Sequence, residues 1–134
     1  YGEKKIHLFR RSWNMAPAPL SKNNTNHPLN MEIYKNIPRD KIPDTESLKD
    51  TYERVIYYYL NNIEPLIQNS QNVLISAHGN SLRALCKKLF NISDKNISRL
   101  EIPTGNPLLI KFRNNFKIDS CHYLDSSRSK DLLV

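Results

Sequence analysis

Cysteine is scarce in this chain. Cys86 and Cys121 are the only two, far apart in sequence and without metal-ligand spacing. That excludes a disulfide framework and a cysteine-based metal site, and makes free thiols in a reducing cytoplasm the expectation. Long apolar stretches are missing too: runs such as VIYYYL at residues 55–60 reach six residues, against the roughly 20 that a membrane-spanning helix needs. No basic-then-apolar leader opens the sequence, so no secretory signal is expected. Internal repeats and low-complexity tracts are absent. Acidic residues are in deficit, 13 against 20 Lys and Arg, giving a net charge of +7. Such an excess suits nucleic acid, an acidic membrane or a small anion. The basic residues are scattered along the whole chain without a stripe of interleaved aromatics, which argues against nucleic acid.

What is present reads as globular material. The 134 residues, 39% of them hydrophobic and 25% charged, are one domain's worth of chain. Ile6 and Phe9 are three apart in EKKIHLFRR (residues 3–11), suggesting helical turns that end in paired arginines. Residues 12–44 hold most of the eight prolines and form a long irregular stretch, a length that in a compact domain points to an active-site covering. Leu48, Tyr52, Val55 and Tyr59 make one apolar stripe, predicting a helix over residues 46–61 with Asp44 or Thr45 as its cap. Pro65 kinks or restarts that helix. The apolar run VLISA (residues 73–77) predicts a buried central strand of a parallel sheet. A helix follows from Asn80 or Ser81, with Leu82, Leu85, Cys86 and Leu89 inward. Ser93 caps a short helix over 94–100, residues 107–112 and 116–123 read as two further strands, and 126–134 as a mobile tail. The order suggests one half of an α/β sandwich, short of its own sheet.

His78 stands at the carboxyl end of the predicted strand, followed by Gly79 and Asn80 and then a helix. Open α/β sheets bind ligands at that place. Gly79 permits close backbone approach or an unusual conformation. The helix start offers free N–H groups to an anion, Asn80 adds an amide, and His78 can carry positive charge toward a phosphoryl group. A purely structural histidine remains the alternative. Arg10 and Arg11 could grip phosphate bidentately, or could be a solvated helix end. Arg83 reads as surface or salt-bridged, and His7, His27 and His122 receive no role.

Longer strings sharpen the choice. VLISAHGNSLRAL (residues 73–85) and ISRLEIPTGNPLL (97–109) closely resemble the bisphosphoglycerate-dependent phosphoglycerate mutases, in which a strand ends in AHGNSLR and an IPTG-x-PL segment follows. FRRSWNMAPAPL (9–20) and DTESLKDTYERVIYYY (44–59) resemble the family's paired arginines and its TESL helix, in the same order. The resemblance runs from Tyr1 to about Asp125. It implies a three-layer α/β sandwich with a mainly parallel sheet, within the histidine phosphatase superfamily. It implies an isomerase of glycolysis and gluconeogenesis that interconverts 3-phosphoglycerate and 2-phosphoglycerate through a phosphohistidine, with 2,3-bisphosphoglycerate as phosphoryl primer and no metal. His78 resembles the second active-site histidine, which stabilises the transferring phosphoryl group. Arg10, Arg11, Gly79 and Asn80 resemble substrate contacts.

The R-H-G segment that carries the family's nucleophile is not in this sequence, nor is the acid/base glutamate of its E-R-x-Y-G segment, whose end Tyr1 and Gly2 resemble. The expectation is therefore a C-terminal half with the N-terminal strands absent, inactive alone, and completed by an N-terminal fragment or by self-association. A silent phosphate-ester-binding remnant and a phosphatase of the same superfamily stay open as alternatives.

Overall fold

A computed structural model describes residues 2–129; Tyr1 and the end of the expected tail, residues 130–134, lie outside them. Helix α1, Glu3–Arg11, has Glu3 in its first turn and Arg10 and Arg11 in its last, the charge order that suits a helix dipole. No residue of α1 is buried.

Helix α2 spans Leu48–Tyr58 and buries Leu48, Thr51 and Ile56. Neither Asp44 nor Thr45 caps it, contrary to the sequence expectation. Ser47 does: its Oγ accepts from the Asp50 N–H, while the Asp50 carboxylate accepts from the Ser47 N–H at 2.8 Å and from its Oγ–H at 2.6 Å. This is a reciprocal capping box. Asp44 is otherwise engaged, as described below. A π-helical turn, Tyr59–Ile63, carries the chain into helix α3, Glu64–Gln68, which holds Pro65 in its first turn. The proline thus lands where a missing N–H costs nothing.

Helix α4 runs Gly79–Leu89 and packs on α2. Two apolar clusters join them. Leu48, Ala84, Cys86, Ile92, Ile97 and Leu100 form one; Ile56, Tyr59 and Leu85 form the other. Side chains of this kind contribute roughly 1.5–3 kcal/mol each when fully buried. The short helix expected over 94–100 is a 3₁₀ turn, Asn96–Arg99, whose N-cap is Lys95 rather than Ser93 and which has no side-chain cap; Ser93 Oγ accepts from the Asn96 N–H at 3.2 Å from two residues further back.

Strands β1, Leu108–Phe112, and β2, Ile118–Tyr123, form an antiparallel hairpin with Leu108 opposite Tyr123 and a register shift between Lys111 and Phe112. Just before β1, Gly105 takes φ +68 in a turn closed by the Asn106 N–H on Pro103 O at 3.4 Å. That geometry requires a positive φ at the third position, which only glycine takes without strain. The sheet is α/β in company but not parallel: two antiparallel strands are the whole of it among the described residues. Residues 73–77, expected as a buried central strand, have no ladder partner there, and Leu74 is 93% exposed. The reason is physical. A strand acquires burial from neighbours on its edges and faces, and no described strand pairs with this one; Ile75 turns onto the α2–α4 core.

The long segment 12–44 is irregular as expected, broken by three 3₁₀ turns at Pro28–Asn30, Glu32–Tyr34 and Arg39–Lys41. Its pin is His27, a residue that the sequence left without a role. It is fully buried. Its Nδ1 accepts from the Leu29 N–H at 3.1 Å, and its Nε2 lies 3.1 Å from Asp44 Oδ1. Because Nδ1 is accepting, Nε2 carries the proton and donates to Asp44. Leu20 N–H on Asp44 O at 2.9 Å and Thr45 Oγ1–H on Pro17 O at 2.8 Å close the same loop.

The capping box sets a pH dependence. The Ser47 hydroxyl first, and then its backbone N–H, hold the Asp50 carboxyl below its usual 3.8. A carboxylate lowered on folding contributes stability above its unfolded pKa and loses that contribution as pH falls through the folded one. Ser47→Ala is expected to cost about 1 kcal/mol near neutral pH. In urea titrations the cost should shrink as pH falls through the lowered Asp50 pKa; a cost that is flat with pH would contradict the ionised-cap reading.

Candidate functional site

His78 is the N-cap of α4, in extended backbone at φ −66 and ψ 151, and its carbonyl accepts the Leu82 N–H at 3.1 Å. Its side chain makes no capping bond and is exposed, as are Gly79 and Asn80. The imidazole therefore stands free at the helix start, where unpaired backbone N–H groups and the positive dipole end favour an anion. Gly79 does not take the unusual backbone allowed for in the sequence reading. It is the first helical residue, and Gly105 is the glycine with positive φ. A Cβ added at Gly79 would meet nothing within 4 Å.

Arg83 departs most from expectation. It was read as a surface or salt-bridged residue and is instead 3% exposed. A guanidinium has five N–H donors, and five acceptors surround this one. Nε donates to Leu100 O at 3.0 Å, Nη1 to Arg10 O at 3.0 Å and to Asn80 Oδ1 at 3.1 Å, and Nη2 to Arg11 O at 3.3 Å and to Ile97 O at 2.6 Å. The sequence carried one signal for this. Arg83 is three residues after Asn80 and three before Cys86, so it borders the apolar stripe of α4 rather than its solvent face.

Arg83 brings three of the predicted site residues together. The carbonyls of Arg10 and Arg11 are among the last of α1, without helical partners of their own, and Arg83 binds both while holding the Asn80 side chain. The side chains of the arginine pair then diverge in role. Arg11 Nη2 donates to Glu101 Oε1 at 2.9 Å and its Nη1 reaches Leu100 O at 3.5 Å. Arg10 is exposed and makes no ion pair among the described residues. An open concavity of about 740 Å³ along α1 is lined by Arg10 and Arg11, with His7 among its other residues, and not by His78, Gly79 or Asn80.

Burial chiefly, and then the charge of Arg11, lower the Arg83 pKa to about 10, with Glu101 acting in the opposite sense. Arg83 stays charged at neutral pH. Burial, with a smaller contribution from Cys121, raises the Cys86 thiol to about 12, which leaves it protonated and a poor nucleophile. Among the described residues no three His, Cys, Asp or Glu side chains are grouped to hold a metal ion, and no helix is long and apolar enough to cross a membrane. The arrangement offers cations, an amide and a helix start to an anionic ester.

Arg83→Met would leave the Ile97 carbonyl without its charged donor, take from Leu100 O the shorter of its two guanidinium bonds, and release the Arg10 and Arg11 carbonyls at the end of α1. A loss of about 2–4 kcal/mol is expected, read as the urea midpoint. A loss under about 0.5 kcal/mol, typical of a surface substitution, would contradict the buried hub.

Residues 18–118 match the histidine phosphatase superfamily, branch 1. The chain is 59% identical over 133 residues to a 2,3-bisphosphoglycerate-dependent phosphoglycerate mutase of Pelagibacter ubique (strain HTCC1062), an alignment covering 99% of this chain and 56% of the relative. Proteins of the same name from Hyphomonas neptunium (strain ATCC 15444) and Maricaulis maris (strain MCS10) are 46% and 41% identical; each alignment covers 98% of this chain, with 54% and 55% of the respective relative. The chain thus spans about half the length of these relatives.

Proposed function

The chain belongs to the histidine phosphatase superfamily, and from that membership we propose that it is the C-terminal portion of a 2,3-bisphosphoglycerate-dependent phosphoglycerate mutase, a single domain interconverting 3-phosphoglycerate and 2-phosphoglycerate in glycolysis and gluconeogenesis. The observation that carries the reading is the gathering of the Arg10 and Arg11 carbonyls and the Asn80 amide on one buried guanidinium, that of Arg83, the fifth residue of the helix that His78 caps. Phosphoglycerates carry several negative charges, and these residues are suited to them. Arg10 has a fork with no ion pair among the described residues, Asn80 an amide, and α4 its first N–H groups.

His78 acts here as the stabilising partner. Exposed and without a competing bond at the helix start, its imidazole can donate to a phosphoryl oxygen as negative charge develops. Gly79 and Asn80 line the approach, and Arg10 and Arg11 hold the phosphate or carboxylate of the substrate. Bound 2,3-bisphosphoglycerate would supply the phosphoryl group that primes the cycle, and the same cationic donors fit it. The covalent step needs the histidine of an R-H-G segment, and this sequence has none; a covalent mechanism does not keep its rate without its nucleophile.

The exposed apolar residues fit a partial fold. Val73 and Leu74 on the expected strand, Ile6 and Leu8 on α1, and Tyr57 and Tyr58 on α2 all face outward. In the proposed whole, a three-layer sandwich with a mainly parallel sheet, further strands flank residues 73–77. An N-terminal portion, or failing that a second copy, would cover them.

The purified 134-residue chain is expected to form no 2-phosphoglycerate from 3-phosphoglycerate; turnover by the chain alone would overturn the half-site reading. Refolding it with an N-terminal half that bears an R-H-G segment is expected to restore turnover. His78→Ala should then lower the restored rate at least ~100-fold. A restored rate indifferent to His78 would remove it from the mechanism. By light scattering the chain alone should self-associate, and a monodisperse monomer that melts cooperatively would contradict the uncovered faces.

A further inference from the structure

The side-chain amide of Asn80 has two chemically different ends, and an anion can be bound by only one of them. A carboxamide accepts through Oδ1 and donates through Nδ2. Arg83 can only donate, so the atom it holds at 3.1 Å must be the oxygen. Asn80 Nδ2 has no partner among the described residues, and Asn80 is exposed while Arg83 is buried. The inward end of the amide is therefore the acceptor and the outward end the donor. The same Nη1 that holds Asn80 also holds Arg10 O, and Nη2 holds Arg11 O. One rigid planar group thus orients the amide and places the end of α1, with its arginine pair, against the start of α4.

We propose that Arg83 is the positioning residue of the phosphate-ester site: by occupying Asn80 Oδ1 and the carbonyls of Arg10 and Arg11, it presents the Asn80 Nδ2–H₂ and the arginine pair to one anion. Arg83 itself touches no ligand. Its five bonds leave it no donor to give, and it is enclosed. The planar fork is essential, since an ammonium at this position has three donors and cannot span five acceptors. Lysine would keep the charge and lose the orientation. The ligand half of this inference rests on the function proposed above; the orientation of Asn80 does not.

The test uses the 15N-labelled 134-residue chain, in the assembly it forms in solution, as the parent and as Arg83→Lys and Asn80→Asp. Without ligand, the Asn80 side-chain amide should be rigid in the parent and as mobile in Arg83→Lys as that of exposed Asn23. Equal mobility of Asn80 and Asn23 in the parent, or an Asn80 amide unchanged by Arg83→Lys, would overturn the proposal. The second arm titrates 3-phosphoglycerate. Asn80→Asp keeps an oxygen for Arg83 and turns an acceptor outward. It should melt within a few degrees of the parent yet bind at least ~10-fold more weakly, whereas binding equal to the parent's would overturn the presented-donor role. Should Arg83→Lys fail to fold, parent mobility and the Asn80→Asp arm still decide. A parent with no saturable shift on 3-phosphoglycerate would count against the mutase reading, leaving the mobility arm to judge Arg83.

Discussion

A guanidinium placed in a protein interior loses several kcal/mol of hydration, and it stays there only if every donor finds an acceptor. Arg83 meets that condition with five oxygens drawn from three parts of the chain: the end of α1, the start of α4, and residues Ile97 and Leu100. The dependence is strongest for α1. That helix has no fully buried residue. Its position rests on Arg83, on the Arg11–Glu101 pair, and on the residues that follow it. Had Arg83 been apolar, the core cluster around Ile97 and Leu100 could still close, but the Arg10 and Arg11 carbonyls would lose their direct bonds to the helix that carries His78.

A second set of contacts continues from there. Trp13 follows α1 directly. Its ring meets Tyr52 of α2 edge-on at 5.4 Å, Lys87 Nζ of α4 lies 4.6 Å from its centre, and its carbonyl accepts from the Lys49 N–H at 2.8 Å. Lys87 in turn donates to Ile92 O at 2.6 Å and pairs with Asp94 at 2.7 Å. The chain leaving the arginine pair is thus held against both core helices. Beyond it, the long segment is pinned by His27 and Asp44. Functional loops gain precision from such fixed ends, and here the fixed end lies next to the cationic donors.

How much of this could be read in the residues differs by element. The α2 stripe, the α4 stripe and the two strands of the hairpin were legible because their periodicity reflects contacts made within this chain. Residues 73–77 were misread: their apolar run predicts a buried strand, and among the described residues they form no ladder and Leu74 is exposed. The sequence put His78, Gly79 and Asn80 at the start of a helix and Arg10 and Arg11 at the end of one, and the structure has them there. Arg83 and His27 were not legible. A buried polar residue is specified by carbonyls far away in sequence, such as Arg10 O for Arg83 and the Asp44 carboxylate for His27, and a pattern of apolar spacing carries no record of those. The cap of α2 is Ser47 because the helix begins at Leu48, later than the apolar stripe alone indicated, and Asp44 instead meets the distant His27.

The central claim is that one enclosed, fully bonded guanidinium organises the site, and the exchange of its own proton tests it most directly. Arg83 Nε–H is enclosed and donates to Leu100 O, whereas Arg54 Nε–H donates to Glu46 at 2.6 Å on a side chain that is 57% exposed. Measured by NMR in the same sample, the Arg83 Nε–H should exchange with water at least ~100-fold more slowly than that of Arg54, because exchange requires the surrounding structure to open. Equal exchange rates for the two would mean that Arg83 is not held as described, and the organisation of the site around it would not stand.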